Sequence, residues 1–225
     1  MKRLHGKAFD ICPITYIFPE DYKRWQIDRE VSNFKNMYIM KPCASSCGRG
    51  IRVIGKTQQV KKRNGYIVSK YVSKPHLIHG YKYDLRLYVL VTSFDPLRIY
   101  MFKDGLVRLA TVPYSTSKSS LKQRFIHLTN YSVNKKAESY IKNENKSPSK
   151  NNSTQKEPES PTKSPTKTDG DMSENASPSA AHKMPIESKL SLQQLKEEFI
   201  KMGADFNDTF SKIKDVCIKT VLAAE

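Results

Sequence analysis

From Tyr66 to Val112 the chain alternates apolar and polar residues in short runs broken by turn residues, the pattern of half-buried strands. The strongest stretch is YDLRLYVLVTSFDPLRIYMFKDGLVRLATVPY, which divides into Asp84–Ser93, Leu97–Phe102 and Leu106–Val112. The breaks fall at Asp95-Pro96 and at Lys103-Asp104-Gly105. Both carry turn chemistry, and an Asp-Gly pair between β-rich runs is a hairpin signal. The three runs therefore read as an antiparallel meander. In the first, Leu85, Leu87, Val89 and Val91 share one face as core, and Asp84, Arg86 and Tyr88 share the other. Shorter strands are expected over Met37–Met40, Gly50–Gly55 and Tyr66–Val72, with a helix beginning in Pro19–Trp25. Beyond Lys189 the period changes. Leu192, Leu195, Phe199 and Met202 recur at helical spacing, as do Phe206, Phe210, Ile213 and Cys217, giving two amphipathic helices with a break near Gly203. The apolar pattern runs into KTVLAAE without a capping glycine, which reads as a truncated helix.

Composition changes this picture in the middle of the chain. Of the 225 residues 38% are hydrophobic, which is low for a fully packed chain. From about Asn143 to Ser188 the sequence is rich in Ser, Pro, Lys, Asn and Glu and cannot bury enough apolar surface to offset the entropy of ordering, so it reads as disordered. It holds the tandem copy SPTKSPTK, and Ser147, Ser160, Ser164 and Ser177 each precede proline. Proline-directed phosphorylation is one reading of these sites, and a low-complexity insertion without a role is the other. The organisation expected is a folded part over 1–140, an insertion over 141–188 and a helical continuation over 189–225.

Charge sharpens the division. Residues 1–140 carry 26 Lys+Arg against 9 Asp+Glu, and residues 141–225 carry 13 of each, so the whole net charge of +17 sits in the first part. Such a surface favours acidic partners: nucleotide, nucleic acid or an acidic polypeptide. Cys12, Cys43, Cys47 and Cys217 form no disulfide framework and no paired zinc spacing. Cys43 and Cys47 with His76 and His79 could be drawn as a metal site, but free thiols in a reducing compartment are the simpler reading. The basic N-terminus is not followed by an apolar stretch, and no run approaches the length of a membrane span.

The stretch MKPCASSCGRGI, Met40–Ile51, places a lysine before a loop with Gly48-Arg49-Gly50. Glycines allow close approach of backbone to ligand, and a lysine neutralises phosphate. The loop is neither a Walker loop nor a dinucleotide fingerprint, and by itself it is weak.

Three stretches in order are specific: MKPCASSCGRGI, then KYVSKPHLIHGYKYDLRLYVLVTSFDPLRIYMFKDGLVRLAT, then HLTNYSVNK. Together they resemble the tubulin tyrosine ligase-like family, and within it the polyglutamylases. The resemblance covers roughly residues 8–140 and 205–225. It implies a mixed α/β (α+β) chain with part of an ATP-grasp fold. It also implies ATP-dependent addition of glutamate to glutamate side chains in acidic tubulin tails, through an acyl phosphate that an amine attacks. Lys41 would meet phosphate, with Cys47 and Gly48 covering it from the backbone. Ser69, Lys70, Tyr71 and Val72 would form the adenine hinge. Lys82, Tyr83 and Asp84 would hold the nucleotide, with Asp84 on the ribose. Arg86 would meet phosphate or carboxylate, and Arg108, a planar fork, would bind glutamate. Thr129 and Asn130 would lie by the nucleotide, and Ser132 and Lys135 on the amino-acid side. Cys47 departs from the polar residue often found there. The cellular setting implied is the cytoplasm and the microtubule cytoskeleton, with cilium and basal body included.

The same chemistry needs Mg²⁺, bound by hard oxygen ligands. The resemblance places these on a late segment with an Asp and a Glu-x-Asn, and nothing after Ala137 matches it; Asp205 and Asp208 stand in a helical or turn region. The short chain is therefore expected to be inactive or weakly folded alone. Two other classes compete: a non-catalytic basic module that holds microtubule tails, and, less well supported, a nucleic-acid binder, for which no motif is present.

Overall fold

The computed structural model describes residues 1–141 and 187–224. The expected insertion over 141–188, with its Ser-Pro sites, lies almost wholly outside the described residues.

A short helix α1 (Lys2–His5) and a 3-10 turn lead into β1 (Thr15–Phe18), α2 (Tyr22–Val31), β2 (Tyr38–Pro42), β3 (Arg52–Ile54) and β4 (Tyr66–Lys70). These strands form one antiparallel sheet in the order β1-β4-β2-β3. One face of it is covered by α2 through an aromatic cluster in which the Trp25 ring meets Phe18 and Tyr38 edge-on. Buried Arg29 lies over the Trp25 ring and donates to the carbonyls of Lys56 and Gln58, tying the loop after β3 to the helix.

A second antiparallel sheet, β10-β9-β6-β5, contains β5 (Leu77–Ile78), β6 (Tyr81–Arg86), β9 (Leu106–Leu109) and β10 (Lys189–Ser191). Between β6 and β9 the chain makes a separate two-stranded hairpin, β7 (Val89–Phe94) with β8 (Leu97–Met101). The short helices α3 (Arg124–His127) and α4 (Tyr131–Asn134) follow β9, and α5 (Leu192–Lys201) and α6 (Phe206–Leu222) close the order. The two helices meet the break expected at Gly203, which takes φ +67°. α5 opens with a capping box between Ser191 and Gln194.

Two expectations are corrected here. The three β-rich runs do not make a meander, because β9 pairs with β6 and not with β8. Asp104 still does turn chemistry, accepting from the Gly105 and Leu192 amides. Gly105, however, serves a close approach, since a Cβ there would lie 2.7 Å from the Arg86 carbonyl oxygen. The apolar row also stops being core after Leu87: Leu85 and Leu87 pack on the core while Val89 is exposed.

Period-2 alternation gives the second sheet two unlike faces. Tyr81, Tyr83, Leu85, Val107, Leu109 and Leu190 lie against Leu192, Leu195 and Phe199 of α5. Register puts Asp84 opposite Arg108 and Arg108 opposite Lys189, so the charged residues share the other face.

Candidate nucleotide and carboxylate site

Lys41 is exposed one residue before the end of β2, and the glycine loop follows. The loop is held at both ends. The Cys43 amide donates to the Gly65 carbonyl at 2.9 Å. The Ser132 hydroxyl donates to the Cys47 carbonyl at 2.8 Å, and Arg124 donates to the Gly48 carbonyl at 2.6 Å. Gly48 has φ +75°, and a Cβ on it would lie 3.0 Å from Asn130 Oδ1, so both backbone and space require glycine. Ala44, Ser45, Ser46 and Arg49 border an open hollow of about 500 Å³. Ser132, which the resemblance puts beside the amino acid, spends its hydroxyl proton on the loop.

Of the residues expected as an adenine hinge, Lys70, Tyr71 and Val72 border a second cleft, of about 510 Å³, which Ile11, Cys12 and Pro13 also line. The Ser69 hydroxyl is 2.9 Å from that of Thr15. The Lys70 and Tyr71 amides donate to the carbonyls of Ile14 and Met37. The Tyr71 side chain turns inward and is buried.

Lys82 stands on the charged face of β6. Its ammonium donates to the Tyr71 hydroxyl at 3.2 Å and to the His127 carbonyl at 3.0 Å. Burial pushes its pKa down to about 8, nearby Lys41 adds to the effect, and Asp84 opposes it. Asp84 receives a bidentate pair from Arg108, with Nε to Oδ1 at 2.8 Å and Nη2 to Oδ2. That hydrogen bonding holds the Arg108 guanidinium above its ordinary pKa. Arg86 is exposed at the end of the same strand. Tyr83 lies on the core face, its hydroxyl 3.0 Å from His76 Nδ1, so only its backbone faces in common with Lys82 and Asp84.

Thr129 is buried and Asn130 precedes α4. Asn134, which the sequence reading passed over, clips this segment: its Oδ1 accepts from the Thr111 amide and hydroxyl, and its Nδ2 donates to the Leu128 and Asn130 carbonyls. Lys189 was also passed over. It sits opposite Arg108 across the strands, and its ammonium lies 4.1 Å from the centre of the Tyr131 ring, with Lys135 on the same ring at 5.5 Å. Lys135 and Lys189 thus meet at Tyr131, and Arg108 lines the crevice beside it with Thr129, Tyr140 and Lys189. The signal for Lys189 is its register with Arg108, visible only once β10 is known to pair with β9.

The glycine cradle, Lys41 and the part-buried Lys82 fit a nucleotide triphosphate. Magnesium does not fit this residue set. No group of three or more His, Cys, Asp or Glu stands together among the described residues, and both Asp84 oxygens already accept from Arg108, leaving only their second lone pairs. The four cysteines are free, and no helix among the described residues is long and apolar enough to cross a membrane.

A model of the tubulin-tyrosine ligase family matches residues 1–207. Tubulin monoglutamylase TTLL4 of Mus musculus is 38% identical over 223 residues, 99% of this chain and 16% of the relative. Tubulin polyglutamylase TTLL5 of Mus musculus is 44% identical over 142 residues, 63% of this chain and 10% of the relative. Tubulin polyglutamylase TTLL7 of Mus musculus is 41% identical over 140 residues, 60% of this chain and 15% of the relative. The chain thus spans a sixth or less of the length of these relatives. The motif order, the charged sheet face beside a glycine cradle and the extent of the family match lead to one assignment: the chain belongs to the tubulin-tyrosine ligase family.

Proposed function

We propose that this chain carries the nucleotide- and glutamate-holding part of an ATP-dependent carboxylate–amine ligase, one that adds glutamate to glutamate side chains in acidic tubulin tails. The carrying observation is the row Lys82, Asp84, Arg108 and Lys189 on one sheet face beside the glycine cradle. ATP would supply the phosphoryl group that activates a carboxylate. Lys41 and the loop amides at Cys47 and Gly48 hold the phosphates, and Lys82 meets them from the sheet side. Val72 and its neighbours take the adenine at the hinge cleft, and Thr129 and Asn130 close the nucleotide side. Asp84 has two roles: it offers carboxylate oxygen toward ribose and it fixes the Arg108 fork. Arg108, with Lys135 and Lys189 around Tyr131, attracts the carboxylates of glutamate, and exposed Arg86 attracts those of the acceptor chain. A partly buried cluster of this kind stabilises charge better than a solvated one. The cationic first part of the chain suits an acidic tail, and microtubules of the cytoplasm and cilium are the corresponding setting.

The test is twofold. Titration with a fluorescent ATP analogue should show binding that Lys82→Met weakens by about tenfold or more, the size of a lost charge-assisted bond to phosphate. Labelled glutamate should then be offered to tubulin with ATP and magnesium. Incorporation that Arg108→Ala abolishes supports the ligase reading. Tubulin binding without nucleotide binding would instead support a basic microtubule-holding module.

A further inference from the structure

We propose that His127 is a positioning residue for nucleotide: through the Tyr71 hydroxyl and its own carbonyl it sets the direction and protonation of the Lys82 ammonium. This rests on the nucleotide reading above and extends it to a residue that touches no ligand.

His127 is 3% exposed, at the end of α3. Its Nε2 is 3.1 Å from the Ser120 carbonyl oxygen. A carbonyl only accepts, so Nε2 carries the hydrogen. Burial holds the imidazole below its ordinary pKa, the positive charge of Lys82 adds to this, and the bond to Ser120 opposes it. A neutral ring with its hydrogen on Nε2 leaves a lone pair on Nδ1. That atom is 2.9 Å from the Tyr71 hydroxyl, which must therefore donate. With its proton spent there, the Tyr71 oxygen turns its lone pairs to Lys82 Nζ. The backbone carbonyl of His127 takes a second hydrogen of the same ammonium. One residue thereby directs two of the three N–H groups of Lys82.

The ring has little freedom to exchange these roles. It meets the Tyr71 ring edge-on at 5.7 Å and the Tyr114 ring edge-on at 5.9 Å. The opposite tautomer would set a lone pair against the Ser120 carbonyl. The titratable groups that face Lys82 are Asp84, Lys41, Tyr71 and His127, with Tyr114 behind Tyr71. Of these, the Tyr71–His127 pair is the one that supplies an oriented acceptor for the charged form. Removing that acceptor makes the ammonium easier to deprotonate.

The experiment titrates the full chain with a fluorescent ATP analogue across the pH window around the Lys82 value of about 8, for wild type, Tyr71→Phe, His127→Gln and His127→Asn. Wild-type affinity should fall as pH rises through that window. Tyr71→Phe and His127→Gln should bind about tenfold more weakly at neutral pH, the loss of one hydrogen bond to a charged group, with the midpoint moved to lower pH. His127→Asn, whose Oδ1 replaces the Nδ1 acceptor, should restore both. A purely structural role would weaken binding at every pH and leave the midpoint in place, and that result overturns the inference. Nitrogen NMR of ¹⁵N-histidine in wild type reads the tautomer without nucleotide and without any variant having to fold. Nε2–H supports the inference, and Nδ1–H or a cationic ring at neutral pH overturns it. A wild type that binds no nucleotide at any pH would remove the nucleotide reading and this inference together, which the midpoint result alone would not.

Discussion

β6 and β7 follow one another with two residues between them, and both are rich in β-forming apolar side chains. β6 is paired on both sides, with β5 and β9, and its core face lies under α5. Among the described residues β7 pairs only with β8, and Leu90 is 62% and Phe94 54% exposed. Alternation therefore decides which side chains share a face. Whether the face is covered depends on a helix that arrives much later in the chain. The proposed site follows the covering: Lys82, Asp84 and Arg108 all stand on the doubly paired sheet, where strand positions are held, and none on the hairpin.

The comparison can be broken in several ways. Leu109→Ala, in the covered sheet, should cost about 2–5 kcal/mol in urea unfolding. A smaller loss would mean that α5 packs less tightly than the fold implies. Gly105→Ala stands at the junction of sheet and hairpin, and the clash with the Arg86 carbonyl should cost about 1–3 kcal/mol. Unchanged thermal stability there would show that the hairpin base can shift freely. Acid should act on the charged face of the doubly paired sheet through His127, which meets Lys82 there. Its folded pKa lies below the ordinary 6.5, so the unfolded chain takes up a proton that the folded chain refuses. Its contribution is full above that value and is lost as pH falls below it. Unfolding midpoints should drop over that window in wild type and be flatter in His127→Asn. Smallest of all, Leu90→Ala in the hairpin should change stability by no more than about 0.5 kcal/mol. A cost equal to that of Leu109→Ala would contradict the contrast outright.

Strand and helix periods were legible from local pattern: β2 to β4, the hairpin turn at Asp95-Pro96, and the two helices around Gly203 all lie where alternation or the 3.6 period puts them. The wrong pairing of β9 came from reading Asp104-Gly105 as a hairpin turn. Local turn chemistry is present there, but the partner strand is chosen by burial under α5, which no local window contains. The site divides in the same way. Period 2 places Lys82 with Asp84, and the lysine–glycine loop is visible as a motif. Lys189, His127 and Asn134 gain their positions from register, a buried hydrogen-bond chain and a clip to Thr111, each set by distant segments. The same holds for Glu198, which accepts from His79 at the β5–β6 turn and from Lys201.

At the edge of the second sheet, Ile141 and Ser188 are joined twice: the Ser188 amide donates to the Ile141 carbonyl, and the Ile141 amide donates to the Ser188 hydroxyl. The Ser188 carbonyl in turn accepts from the Leu109 amide. Residues 141 and 188 are thus fixed side by side. For a flexible chain closed at such a pair, doubling the length between the ends costs only about 0.6 kcal/mol. Sequence inserted, removed or exchanged between those two residues should leave the register of the row from Asp84 to Lys189 in place. Evolution and the protein engineer would find the same socket.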